Sequence, residues 1–168
     1  TKGLDLIEKK YREQGAVFRK MDLKDFKNEL RKIATLSIDG FSSNFLFTPL
    51  SIEDFVLKYE KLEPFFDPEL VWIAEDQKGE VHALIFCIKD FNDRTNSTLI
   101  VKSMVRKRSS PFKGVATYLS TRIVELAKNR HYTKIIHALM ITDNASHRIS
   151  NTQTAQHYKS YSLFGLKI

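Results

Sequence analysis

The sequence of 168 residues is poor in the residues that crosslink or interrupt a chain. Its single cysteine, Cys87, has no disulfide partner, and its apolar neighbours at 83–88 are typical of a buried strand rather than a reactive thiol. With four prolines and six glycines, it contains no low-complexity or linker-like tract. It also lacks an apolar run of the roughly 18 residues that a membrane helix requires. We therefore expect no membrane partner and a cytoplasmic location.

What is present favours one compact domain with a basic surface. A hydrophobic content of 42% is sufficient for a single core, so we predict one domain over 1–168, with 1–15 as an N-terminal extension. The net charge is +7, and basic residues concentrate in one short window. They are Lys102, Arg106, Lys107, Arg108 and Lys113. This concentration favours a compact anion site and makes nucleic acid an unlikely partner.

Hydrophobic periodicity indicates both helices and strands. Apolar residues at intervals of three and four predict helices, of which the first is weakly specified, over 5–14, 22–40, 51–62 and 114–129. Apolar, β-rich runs bounded by turn residues predict strands over 16–21, 70–74, 81–88, 98–105, 134–140 and 158–167, with a polar segment over 143–154. This order predicts an α/β fold whose mixed sheet is mostly antiparallel and twisted. One parallel crossover joins the strands at 98–105 and 134–140.

The basic loop between Val105 and Gly114 precedes the crossover helix. In α/β sheets, ligands bind at such carboxyl ends of strands, where the strand order changes. Gly114 permits close backbone approach, and the small Ala116 leaves room at the first helical turn. A diphosphate placed there would meet unpaired N–H groups and the positive end of the helix dipole. We therefore predict an anion site over 109–116.

The segment Lys113-Gly-Val-Ala-Thr-Tyr-Leu119 resembles the coenzyme A loop of the GNAT N-acetyltransferase family, whose usual pattern is Arg/Gln-x-x-Gly-x-Gly/Ala. The order of elements over 16–168 is similar to that family's as well. The resemblance implies the GNAT fold, with helices on both faces of the sheet and the parallel crossover at the cofactor site. Pro111 and Phe112 depart from the family pattern, so Gly114 and Ala116 carry the remaining signature.

The resemblance also implies an activity. A member of this family would transfer an acetyl or other acyl group from acyl-CoA to a primary amine by direct attack. The acceptor would be a small molecule or a peptide, and homodimers are common in the family, so a homodimer is a further expectation. The cofactor contacts that the resemblance implies are Met104, Val105, Ser109, Ser110, Phe112, Lys113, Gly114, Val115, Ala116, Thr117, Asn144 and Ser146.

The acid and base of such a reaction are less well defined. The family's frequent acid is a tyrosine after the crossover strand, which makes Tyr158 the candidate catalytic residue and Tyr161 the second choice, although either could instead lie on a sheet face. Glu75, Asp90 or a water molecule could accept the amine's proton. No set of His, Cys, Asp and Glu has the spacing of metal ligands, so no metal is expected.

Two further alternatives stay open from the sequence. Residues 41–66 are rich in aromatics, which could line an apolar acyl or acceptor pocket or belong to the core. They are Phe41, Phe45, Phe47, Phe55, Tyr59, Phe65 and Phe66. The alternative function is a catalytically silent module of the same fold that binds acyl-CoA, nucleic acid or another anion.

Overall fold

The computed structural model describes residues 2–44, 47–138, 140, 146–162 and 164. The helices are α1 (Lys2–Glu13), α2 (Phe26–Phe41), α3 (Ile52–Glu60), α4 (Val115–Asn129) and α5 (Ser146–Thr152). The strands are β1 (Ala16–Lys20), β2 (Val71–Asp76), β3 (Val81–Lys89), β4 (Thr98–Arg106) and β5 (Lys134–His137). Short 3-10 turns lie at Leu23–Asp25, Glu63–Phe65 and Pro68–Leu70.

The five strands form one sheet in the order β1-β2-β3-β4-β5. Each neighbouring pair is antiparallel except β4 and β5, which are parallel and joined through α4. This topology confirms the predicted mixed sheet with a single parallel crossover. In the part of the chain that the structure describes, no helix is long and apolar enough to cross a membrane.

Two apolar layers cover the sheet, as the alternation of side chains along β3 requires. Ile85 points into the layer beneath α1 and α4, where it is clustered with Phe18 and Leu119. Its neighbour Leu84 points into the opposite layer beneath α2 and α3, with Leu30. The expectation of helices on both faces is therefore confirmed.

Residues 1–15 contribute α1, which packs on the domain. Leu4 is buried, and Tyr11 lies against the core between α1 and α4. The carboxylate of Glu8 accepts a 2.7 Å hydrogen bond from Arg122 on α4. These contacts place α1 directly beside the helix that follows the basic loop.

Helix α2 continues one residue past its predicted end, and Gly40 in its last turn lies against β4. A Cβ atom at Gly40 would come within 2.1 Å of Cγ2 of Val105. Only a glycine allows α2 to approach the end of β4 this closely.

The C-terminal part differs from the prediction. Within the polar segment predicted at 143–154, residues 146–152 form α5. The strand predicted over 158–167 is wrong for the residues that the structure describes in that range, since 158–162 and 164 have no strand pairing. Tyr158 and Tyr161 are 60% and 74% exposed, so this stretch buries no apolar face that would fix it to the sheet.

Candidate functional site

Strand β4 contains a bulge. Phe86 pairs with Ser103 while its neighbour Cys87 pairs with Val101, so Lys102 is an extra residue on β4. Pairing with β5 ends at the same level, where Val101 faces His137. Beyond this level β4 continues to Arg106 without a paired neighbour on the β5 side among the described residues. In the described part of the chain, β4 therefore has an open edge on the β5 side from Lys102 to Arg106.

The register identifies which backbone groups face this open edge. The N–H of Lys107 donates a 2.8 Å hydrogen bond to the carbonyl of His82 on the β3 side. Because hydrogen-bonded and non-hydrogen-bonded pairs alternate in an antiparallel ladder, Val105 also pairs with β3. The N–H of Met104 then points away from β3, toward the open edge. Of the two residues expected to supply a backbone donor, the register favours Met104.

The N-terminus of α4 presents unpaired donors beside this edge. Gly114 is its N-cap, with a φ of 80°, a conformation that favours glycine. The first hydrogen bond of the helix runs from Tyr118 N to Gly114 O at 3.1 Å. Among the described residues, the N–H groups of Gly114, Ala116 and Thr117 have no partner. Three free donors at the positive end of a fifteen-residue helix suit a phosphate group.

Helix α1 supports the loop from outside the sheet. The hydroxyl of Tyr11 donates a 2.7 Å hydrogen bond to the carbonyl of Lys113. A Cβ atom at Gly114 would lie 3.1 Å from the same hydroxyl. The backbone of Lys113, just before α4, is thereby held in place by the side chain of Tyr11 from the N-terminal helix.

Three of the predicted cofactor contacts shape the loop from within. Phe112 is buried and packs edge-on against the ring of His82, with centroids 5.1 Å apart. Its N–H donates to the hydroxyl of the buried Ser110 at 3.3 Å, so this amide and this hydroxyl are already engaged. Val115 is fully buried as well, and its N–H donates to the carbonyl of Phe112 at 3.3 Å. Ser109 is exposed on the outer side of the loop.

Part of the basic charge is neutralised within the protein. Lys107 forms an ion pair with Glu80, and this hydrogen bond raises the pKa of Lys107. Arg108 donates to the hydroxyl of Ser43. Arg106, Arg108 and Lys113 are exposed on the same loop, so they supply its accessible positive charge.

The segment after β5 is anchored at α5. Ser146, a predicted cofactor contact, is the first residue of α5, whereas Asn144 lies outside the described residues. Ser150 on this helix lies 2.8 Å from Nδ1 of His137, whose pKa is lowered by burial. His137 therefore stays neutral at physiological pH, immediately below the open edge of β4.

Tyr158, the candidate acid, lies beside Lys134 at the beginning of β5. The ammonium of Lys134 lies 5.5 Å from the centroid of its ring, and Lys134 pairs with Thr98 at the beginning of β4. At about 3.3 Å per residue, that position is roughly 20 Å along β4 from Met104. Tyr158 thus lies at the opposite end of the sheet from the loop, because the tail after α5 turns back along β5 without joining the sheet.

The two carboxylates considered as proton acceptors have other partners. Glu75 binds Arg19 at 2.8 Å, and Arg19 also binds the buried Glu29. Asp90 accepts a 3.0 Å hydrogen bond from Asn92 N in the turn between β3 and β4, at the end of the sheet away from the loop.

An apolar pocket of about 170 Å³ lies between α2, α3 and the ends of β3 and β4. Its lining residues are uncharged: Leu30, Ile33, Ser37, Ile38, Phe41, Phe47, Thr48, Leu50, Phe55, Tyr59, Phe66, Leu84, Phe86 and Ser103. Five of the seven aromatics that the sequence singled out line it. Phe65 instead is exposed and contacts Phe91, and Phe45 lies outside the described residues. Ser103, one of the lining residues, is the neighbour of Met104 in β4, so the pocket lies next to the open edge.

The structure also brings together a group that the sequence reasoning missed. Asp76, Glu80 and His82 each offer a ligand atom, and these atoms lie within 4.8 Å of one another. The residues are spread over seven positions of the β2–β3 hairpin, a spacing that matches no common metal motif. Only the tight turn between the strands makes them neighbours.

No family model matches the sequence, and no curated protein matches it. Solved structures do match. An N-acetyltransferase from Staphylococcus aureus Mu50 is 19% identical over 83% of this chain and 82% of its own, with a TM-score of 0.64. A predicted acetyltransferase from Clostridium acetobutylicum, solved with acetyl-CoA, is 19% identical over 89% and 96%, with a TM-score of 0.62. An aminoglycoside acetyltransferase from an uncultured soil metagenomic sample, solved with sisomicin, is 10% identical over 92% and 99%, with a TM-score of 0.66.

These similarities extend over most of each chain at low identity, so they establish the fold. The chain has the GNAT acetyltransferase fold, as its loop and order of elements predicted. Three features of this chain can bind a ligand: the open edge of β4, the free N-terminus of α4 and the uncharged pocket.

Proposed function

We propose that the chain is an acyl-CoA-dependent N-acyltransferase that acts on a primary amine. The observation that carries the proposal is the end of the described β4–β5 pairing at Val101, next to unpaired N–H groups at the N-terminus of α4. A thioester carried by a diphosphate-containing molecule needs both features: donors for its phosphates and a gap for its extended arm. One of the solved structures with a similar fold contains acetyl-CoA, which supports this assignment.

The residues of the chain would divide the work of binding and polarisation. The N–H groups of Gly114, Ala116 and Thr117 would hold the diphosphate, aided by the helix dipole and by the exposed Lys113. The N–H of Met104 would donate to the thioester carbonyl, where negative charge develops during attack. When bound, acyl-CoA supplies the activated acyl group that the amine attacks.

The pocket would set the substrate class. With no charged side chain in its lining, it favours an acceptor whose substituent is apolar, or an acyl chain longer than acetyl. The pocket is about 170 Å³ in volume, which limits it to a small group. The pKa of Tyr59 is raised by burial, so its hydroxyl stays neutral and can donate a hydrogen bond at one side of the pocket.

The same environment accounts for proton removal. An apolar pocket lowers the pKa of a bound ammonium, because desolvation disfavours the charged form. The amine would therefore bind neutral. Its nitrogen would form the amide bond as the C–S bond breaks, and water would carry the proton that the nitrogen loses to the departing thiolate, which leaves as free thiol. No carboxylate that the structure describes at the open edge needs to act as base.

A silent acyl-CoA-binding module is the second candidate. It is favoured by the position of Tyr158, which lies beside Lys134 and away from the loop, and by Pro111, which has no N–H to donate. Nucleic acid is a weaker alternative ligand, because the ion pair with Glu80 neutralises the charge of Lys107.

Release of free thiol from acetyl-CoA in the presence of amines separates the two candidates. An enzyme releases thiol with apolar primary amines and forms a product heavier by one acetyl group in mass spectrometry. A silent module binds acetyl-CoA in calorimetry but releases no thiol with any amine above the buffer rate. The absence of acetyl-CoA binding at millimolar ligand would overturn both.

A further inference from the structure

The β2–β3 hairpin places a buried histidine between two carboxylates. His82 is 6% exposed, and neither of its ring nitrogens has a hydrogen-bond partner among the described residues. Its Nε2 lies 3.6 Å from Oδ2 of Asp76, which is longer than a hydrogen bond. A buried polar group without a partner is costly, so a partner from outside the protein would stabilise this ring.

Asp76 is fixed in the orientation that leaves this oxygen available. Its other carboxylate oxygen, Oδ1, accepts hydrogen bonds from the N–H groups of Lys78 at 2.8 Å and Glu80 at 3.0 Å. Oδ2 therefore points at the imidazole and not into the turn. The carboxylate of Glu80 completes the group, all within 4.8 Å.

We infer that this hairpin binds a divalent transition-metal ion, such as Zn²⁺, through Nε2 of His82 and the carboxylates of Asp76 and Glu80. One imidazole and two carboxylates form a ligand set that suits Zn²⁺ and similar ions. Ligand atoms about 2.1 Å from a tetrahedral ion lie about 3.4 Å apart, close to the 3.6 Å between Asp76 and His82. Water takes the fourth position, since the carboxylates are open to solvent.

Binding exchanges one partner of Glu80 for another. Without an ion, Glu80 pairs with Lys107, whose ammonium neutralises the charge of the Glu80 carboxylate. An ion between Asp76 and His82 attracts this carboxylate more strongly and releases the ammonium of Lys107. The site lies directly under the basic loop, because His82 packs on Phe112 and its carbonyl accepts from Lys107 N.

The test uses the untagged full chain, stripped with a chelator and titrated with Zn²⁺ in competition with a chromogenic chelator. We expect one ion per chain. His82→Phe, which retains the ring packing, and Asp76→Asn, which retains the turn, should each weaken binding by about tenfold or more, since even outer-sphere partners change metal affinity about 10- to 100-fold. The exposed His157 provides the matched control, and His157→Gln should bind as the parent does.

Lys107→Met addresses Glu80 specifically. Removing the competing ammonium should tighten Zn²⁺ binding about two- to fivefold, the ratio that corresponds to an exposed ion pair. Thermal melting without metal confirms that each variant folds. The inference is overturned if the parent chain binds no Zn²⁺, if His82→Phe and Asp76→Asn both bind as tightly as the parent, or if Lys107→Met leaves the affinity unchanged.

Discussion

The hydroxyl of Tyr11 donates a 2.7 Å hydrogen bond to the carbonyl of Lys113, which lies 102 positions later in the chain. The bond connects the N-terminal helix to the residue that precedes the free donors of α4. The ring of Tyr11 is held independently, by edge and tilted contacts with Phe18 and Tyr118. Its hydroxyl can therefore be removed without displacing the ring.

Tyr11→Phe should loosen the loop. We expect acetyl-CoA affinity to fall about three- to tenfold and the free energy of unfolding to fall by about 1 kcal/mol, the net value of one hydrogen bond. Calorimetry and urea denaturation measure the two quantities. Tyr132→Phe is the control, because that partly buried tyrosine packs on the same core far from the loop. If Tyr11→Phe keeps the parental affinity for acetyl-CoA, the contact from α1 does not support the anion site.

A carboxylate in the first turn of α4 should exclude the diphosphate. Thr117→Glu places a negative charge beside the free N–H groups, and Thr117→Gln differs from it only in that charge. We expect acetyl-CoA to bind at least about tenfold more weakly to the glutamate variant, while the glutamate itself stabilises the helix by about 0.3–1 kcal/mol through the helix dipole. Titration of both variants checks this. Equal affinities would show that the phosphates bind elsewhere.

The pocket should respond to filling from α2. Ser37 lines it, so Ser37→Phe should occupy part of its volume and raise the KM for an apolar amine about tenfold or more, leaving acetyl-CoA affinity unchanged. Thr35→Phe, on the exposed side of the same helix, is the matched control. Steady-state kinetics with varied amine provides the measurement. If both variants keep the parental KM, the acceptor does not enter this pocket.

The stability of the domain should depend on pH through His137. Burial lowers its pKa below the ordinary value of 6.5, so the unfolded chain binds this proton more tightly than the folded chain. The free energy of unfolding should therefore decrease as the pH falls below about 6.5. Urea denaturation at pH 7.5 and 5.5 should show a smaller decrease for His137→Asn than for the parent. An equal decrease would assign the pH dependence to other groups.

Local patterns were sufficient to predict most of the architecture. The helices at 26–41, 52–60 and 115–129 and the strands at 71–76 and 81–89 bury one face or both, and that burial appears directly in their apolar spacing. The loop around Gly114 was predictable because a strand, a turn and a helix have separate local signals.

The features that the sequence did not reveal depend on tertiary contacts. The bulge at Lys102 shifts the pairing between β3 and β4 by one residue, and the pattern of one strand does not specify its register with a neighbour. The position of Tyr158 depends on a tail that buries no face, so no pattern fixes it. The group around His82 forms only when the hairpin closes.

The central claim is that acyl-CoA binds between the N-terminus of α4 and the open edge of β4. Amide NMR spectra recorded during titration with acetyl-CoA test it most directly. We expect the signals of Gly114, Ala116 and Thr117 to shift downfield as their N–H groups acquire acceptors, together with the signal of Met104. Saturable shifts confined to other regions, such as the surface around Lys134 and Tyr158, or no shifts at millimolar ligand, would contradict it.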